Sequence, residues 1–233
     1  MVKDRAHEYW VPEPLFAGET VVCVASGPSL DAETCARIRT AASAGRCRSI
    51  AVNSSWRLAP FADVLYFTDS GWYLANRETV KTWPGLVVSM SPTAKRELPD
   101  VVRRVKAIGD PSFPPRHGGV ARFPAPGSPE IQQGRNSGNT AVGLAIAMGA
   151  ARVVLVGYDC RIVGGKEHFH VDEAIYQGKR DLGLYDNEFR HAFRGWHEAA
   201  CNSGVEILNC TPGSAIDAFP FADLDEELAC TAP

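Results

Sequence analysis

Three groups of residues in this chain are of types that do chemistry. The first is Ser26-Gly27-Pro28-Ser29, directly behind the β-branched run from Thr20 to Val24. That run is long enough for a buried strand and too short for a self-standing helix. Gly27 and Pro28 break it, and Ser29 or Asp31 can cap the helix expected over 32–42. A strand, glycine turn and capped helix leave unpaired N–H groups and the positive end of a helix dipole at the strand's carboxyl end. A phosphate placed there gains about 0.3–1 kcal/mol from the dipole alone. The same turn also joins strand to helix in folds that bind nothing there.

The second group is a set of polar residues, each just past the carboxyl end of an expected strand: Asn53 after 49–52, Asp69 after 63–68 and Asp159 after 152–156. Asn and Asp cap helices and fill turns, so each has a structural use. Together with Ser26 and Gly27 they converge on one edge of a sheet. The third group is His168 and His170, with Phe169 between them and Gly164-Gly165 ahead of them. On an extended segment both imidazoles face one way while Phe169 turns to the core. Such a pair suits proton transfer near neutrality or a metal, although no third Cys or His stands at a supporting spacing.

Behind these residues stand the elements that must position them. Further strands are expected over 86–90, 105–108 and 205–209, with a charged helical piece over 94–98 and an apolar, alanine-rich helix over 140–148 led by Asn136-Ser137-Gly138-Asn139. Ser70 is placed to cap a helix bearing Trp72 and Tyr73, and a helix over 187–201 carries Trp196. Trp10, Leu15 and Phe16 are expected on the outside of the sheet, and the acidic tail with Phe219 and Phe221 folds back on the surface. From Gly109 to Gly134 prolines and glycines crowd in and periodicity is lost, which predicts a long loop over 109–137, either an active-site cover or a disordered segment. Strands and helices at this cadence make βαβ units and a doubly wound, mostly parallel α/β sheet, whose ligands sit outside the carboxyl ends of the strands at a switch point.

At 233 residues and 45% hydrophobic content the chain reads as a single α/β domain over 1–233. A net charge of −3 offers no basic field, so duplex nucleic acid is not indicated as a partner. Seven scattered cysteines without a CxxC pair read as the reduced thiols of a cytoplasmic protein. No apolar run approaches the roughly 20 residues of a membrane span. Nothing in the sequence speaks to oligomeric state.

The motif Gly27-Pro28-Ser29-Leu30 at the end of the first strand resembles the single-domain bacterial sialyltransferases. That opening, with Ser137-Gly138, Ala147-Met148-Gly149-Ala150 and the apolar strand and Gly-x-Asp that run from Val153 to Asp159, is similar to the 6-hydroxymethylpterin pyrophosphokinase-like family too. Small phage-encoded proteins share this look. The resemblance spans most of 20–209 and implies a modified Rossmann, GT-A-like fold and a nucleotide-dependent transferase, foremost a glycosyltransferase acting from a nucleotide-sugar. A pyrophosphokinase-like phosphotransferase and a non-catalytic nucleotide-binding module are the alternatives. The sialyltransferase pattern implies that Gly27, Pro28 and Ser29 line the donor phosphate, that Asn53 contacts the nucleotide, and that Asn136, Ser137 and Gly138 join them. It has Asn where this chain has Ser26 and Asp69. Asp69 and Asp159, expected at neighbouring strand ends, suit Mg²⁺ on a pyrophosphate, closer to the pyrophosphokinase-like pattern. The family's catalytic histidine is best matched by His168 or His170 as general base, and Arg135 suits the leaving phosphate through its bidentate fork. The acceptor is a small molecule or glycan, and a modified nucleic-acid base stays open.

Overall fold

Every residue of β1 (Thr20–Val24) is buried. Val21 and Cys23 belong to one apolar core and Val22 and Val24 to another, as the two-residue period of a strand requires when both faces of a sheet are covered. The computed structural model describes residues 7–108, 123, 128–134, 136–170, 183, 185 and 189–229. Around β1 lie β2 (Arg48–Val52), β3 (Val64–Phe67), β4 (Leu86–Ser89), β5 (Val102–Arg104), β8 (Arg152–Val156) and β9 (Glu206–Asn209). Two short strands, β6 (Lys106–Ile108) and β7 (Glu130–Gln132), stand apart. The main sheet has the order β5-β4-β3-β2-β1-β8-β9, with its strand pairs parallel.

On one face, α1 (Ala32–Ser43), α2 (Ser70–Ala75), α3 (Arg77–Thr82), α4 (Pro92–Glu97) and α7 (Leu224–Ala229) cover the core through residues such as Ile38, Tyr73 and Leu224. On the other, α5 (Ser137–Ala147) and α6 (Trp196–Asn202) pack against Tyr66, Leu155 and Ile207. The α5 residues 139–145 are buried without interruption, which explains their small side chains: Gly143 lies so close to the Gln132 carbonyl that a Cβ there would collide with it. The chain steps outward from β1 to β5 and then returns to the other side of β1. The strand order therefore reverses between β1 and β8, at the C-terminal edge where doubly wound sheets bind ligands.

Several local expectations are corrected. The strand expected over 105–108 is found as Lys106–Ile108, which pairs with Glu130–Gln132 outside the main sheet, and the edge of the main sheet is instead Val102–Arg104, just ahead of it and not expected. The stretch expected as a loop thus contains a strand; of that expected cover, 109–122, 124–127 and Arg135 lie outside the described residues. The helix expected over 187–201 is a 3₁₀ turn at Phe189–His191 and then α6, separated at Gly195, whose φ of 78° no right-handed helix contains. Phe16 is buried rather than outside, and Asp69, not Ser70, caps α2 by accepting from the Trp72 N–H at 2.9 Å. Among the described residues no helix is long and apolar enough to cross a membrane.

Candidate functional site

The turns after β1, β2, β3 and β8 and the start of α5 enclose a cleft of about 410 Å³ at the carboxyl edge of the sheet. Its floor is tied together by hydrogen bonds that cross strands. Ser26 Oγ donates to the Val52 carbonyl at 3.2 Å, and Ser55 Oγ donates to the Val24 carbonyl at 2.7 Å. Asn53 follows β2 with φ 50°, a left-handed conformation that Asn tolerates better than most side chains, and turns the chain into a 3₁₀ segment. Thr68 and Ser137 share a hydroxyl–hydroxyl hydrogen bond of 2.6 Å, which fixes the start of α5 against the end of β3.

The start of α5 is built around Asn136, whose Oδ1 accepts from the Asn139 N–H at 2.7 Å. Tyr158 donates its hydroxyl to the Gly138 carbonyl at 2.9 Å; burial holds that phenol well above its ordinary pKa, so it stays a donor. A Cβ on Gly138 would come within 2.9 Å of the Tyr158 ring, so glycine lets the helix start against the aromatic wall. Across the cleft, the Phe169 N–H donates to the Ser26 carbonyl at 3.1 Å and its ring packs against the core on the α1 face. His168 and His170 line the cleft with ring centroids 5.6 Å apart and planes 28° from parallel.

The cleft thus brings together Ser26, Gly27, Asn53, Asp69, Asn136, Ser137, Gly138, His168 and His170. It does not include Pro28, Ser29 or Asp159. Asp159 is 2% exposed, and its carboxylate accepts from the Ser29 N–H, at 3.1 and 3.3 Å to its two oxygens, and from Ser29 Oγ at 2.8 Å. The Ser29 N–H ahead of α1, expected to meet a ligand phosphate, therefore meets an anion of the protein itself. The expectation that Asp69 and Asp159 lie at neighbouring strand ends is corrected too. They follow β3 and β8, with β2 and β1 between them, three strand spacings or about 14 Å apart. Arg135 lies outside the described residues.

Residues not singled out from sequence also line the cleft: Thr68, Tyr158, Cys160, Glu167, Tyr185 and Phe189. Tyr158 stood in plain view within Gly157-Tyr158-Asp159, and Gly-x-Asp after the most hydrophobic strand was the signal for it. Tyr185 lies outside every expected element and Phe189 near the start of the helix expected over 187–201, and nothing local marks either as a cleft residue. Cys160 has φ 47°, and burial pushes its thiol up to about 12, which keeps it protonated and unsuited to act as a nucleophile at neutral pH. No protein-family model and no curated protein matches the chain.

Proposed function

We propose that the cleft binds a nucleoside phosphate and that the protein is a nucleotide-dependent transferase, moving a glycosyl group from a nucleotide-activated donor to an acceptor hydroxyl. One observation carries this reading: the open N-terminus of α5 and the His168–His170 pair line a single cleft at the switch point of the sheet. The first N–H groups of a helix have no intrahelical acceptor, and its dipole favours an anion there. In this reading Ser137 and Gly138 receive the donor phosphate and Asn53 contacts the nucleotide.

One imidazole takes the proton of the acceptor hydroxyl as the acceptor oxygen bonds to the anomeric carbon. The bond from that carbon to the phosphate oxygen breaks, and its electron pair leaves with the nucleotide, held by the α5 N–H groups. A small molecule or glycan is the acceptor class, and the free, mostly buried thiols fit a reducing cytoplasm. The phosphotransferase alternative drew in part on Asp69 and Asp159 at neighbouring strand ends, and their separation in the sheet removes that part of its support.

A thermal-shift panel of CMP, UDP, GDP, ADP and ATP, each with Mg²⁺ or chelator, tests the reading. A ligand at 100 times its Kd adds about 2.7 kcal/mol, which raises Tm by roughly 5–10 °C in a chain of this size. At least one nucleotide is expected to do so. A flat response across the panel would contradict the proposal.

A further inference from the structure

Tyr158 joins the loop after β9 to the first turn of α5. It stands past the end of β8, whose last pairs are Leu155 with Asn209 and Val156 with Val24, so no neighbouring strand serves its main chain. Buried main-chain groups in such a place take their partners from side chains or water, and here two hydroxyls supply them. Thr211 Oγ1 accepts from the Tyr158 N–H at 3.0 Å and donates to the Leu155 carbonyl at 3.3 Å. Ser214 Oγ donates to the Tyr158 carbonyl at 2.6 Å and accepts from the Ile216 N–H at 3.1 Å. Each hydroxyl has a single proton to give, and both are spent on this turn.

We infer that Thr211 and Ser214 are positioning residues: acting through Tyr158, they set where the first turn of α5 lies and so how tightly the cleft holds its ligand, a consequence that rests on the nucleotide reading. Neither of them lines the cleft, whereas Tyr158 and Gly138 do. With both main-chain groups of Tyr158 held, the direction of its side chain is fixed at the root. The ring is rigid and packed between Phe193, 6.1 Å away between centroids, and Gly138, where there is no room for a Cβ. A shift at the root therefore reaches the hydroxyl, which donates to the Gly138 carbonyl at 2.9 Å. Gly138 belongs to the turn whose N–H groups have no intrahelical acceptors, so its placement decides where those donors converge. A misplacement of about 1 Å in such groups costs a site about 10²-fold, and a smaller one correspondingly less.

The experiment compares the original chain with Ser214→Ala, Thr211→Val, Thr211→Ser, Tyr158→Phe and the double variant Ser214→Ala/Tyr158→Phe. Thermal denaturation checks that each is folded at the temperature used. Ser214 is only partly buried, so its alanine variant carries the test if Thr211→Val does not fold. The first readout needs no ligand: the Gly138 amide signal in the NMR spectrum should move in Ser214→Ala and Thr211→Val and keep its place in Thr211→Ser, which retains the hydroxyl. The second is affinity, by calorimetry, for the nucleotide with the largest thermal shift. It should weaken about tenfold in Ser214→Ala and in Tyr158→Phe, and no further in the double variant, because residues that act along one path are not additive. Hydroxyls that only stabilise their own turn would lower Tm and move neither readout. A Gly138 signal unmoved in Ser214→Ala, an affinity which that variant leaves unchanged, or losses that multiply in the double variant would each overturn the inference and leave the nucleotide reading standing. If the Gly138 signal responds as expected and no nucleotide binds, the positioning stands and the nucleotide reading falls.

Discussion

Asp159 and Ser29 lock together the two turns that flank the switch point: the carboxylate behind β8 takes both the N–H and the hydroxyl of the residue that leads into α1. The contact is nearly closed to water, and it turns a familiar phosphate-binding geometry inward. Asp159→Ala strands both donors of Ser29 and is expected to cost about 2–4 kcal/mol, seen as a Tm lowered by roughly 5–10 °C or more. Asp159→Asn, which retains one carbonyl acceptor, is expected to lose about half as much. An unchanged Tm in the alanine variant would show that the clamp contributes nothing.

Gly27 belongs to the same lock. A Cβ there would collide with the Asp159 carboxylate and with the Gly157 carbonyl oxygen, and the latter is backbone that has nowhere to go. If Gly27 only lined a donor phosphate, as the resemblance implies, Gly27→Val would lose ligand and keep the fold. In the structure it is a folding variant: urea denaturation should show a large loss of stability, and a valine variant as stable as the original would contradict this packing.

His168 and His170 face the cleft from a segment tethered to the β1 turn. Each is to be replaced by Asn, and turnover and nucleotide affinity measured separately. One variant is expected to lose about 10²–10⁴-fold in kcat with affinity nearly unchanged, the signature of a missing general base. Full activity in both variants contradicts the assignment, and loss of affinity in either points to a ligand-holding role.

Asp31 supplies a pH dependence whose sign is fixed. The Thr34 N–H, donating at 2.7 Å, and the Thr34 side chain hold its carboxyl below the usual carboxylate range. A depressed folded-state pKa means stability that is present above the unfolded value, about 3.9 for Asp, and lost as pH falls through the folded value. Asp31→Ala is therefore expected to cost about 1 kcal/mol at neutral pH and progressively less from about pH 4 downward. Denaturation curves at about pH 7 and about pH 2.5 decide it, since a difference that does not shrink in acid would refute the cap's ionic contribution.

The sequence made the strand ends legible and left their lateral order hidden. Runs such as Thr20–Val24 and Arg152–Val156, buried on both faces, announce themselves by β-branched residues, so Ser26, Asn53 and Asp69 could be assigned to one edge. Which strands neighbour each other depends on tertiary packing, and this is why Asp69 and Asp159 were expected together and stand three strands apart. A glycine turn before a capped helix has the same local pattern whether its N–H groups meet a ligand or an aspartate 130 residues away in the chain. Glu130–Gln132 was invisible because three residues among prolines and glycines carry no period of their own.

The central claim is a location: the phosphate sits at the start of α5, not at the start of α1. The most direct measurement is an NMR titration of the isotope-labelled chain with the nucleotide that gives the largest thermal shift, followed at three backbone amides. The account predicts that the Ser137 and Gly138 signals move in proportion to bound ligand while Ser29, already donating to Asp159, stays where it is. A titration in which Ser29 moves and Ser137 and Gly138 remain silent would contradict it.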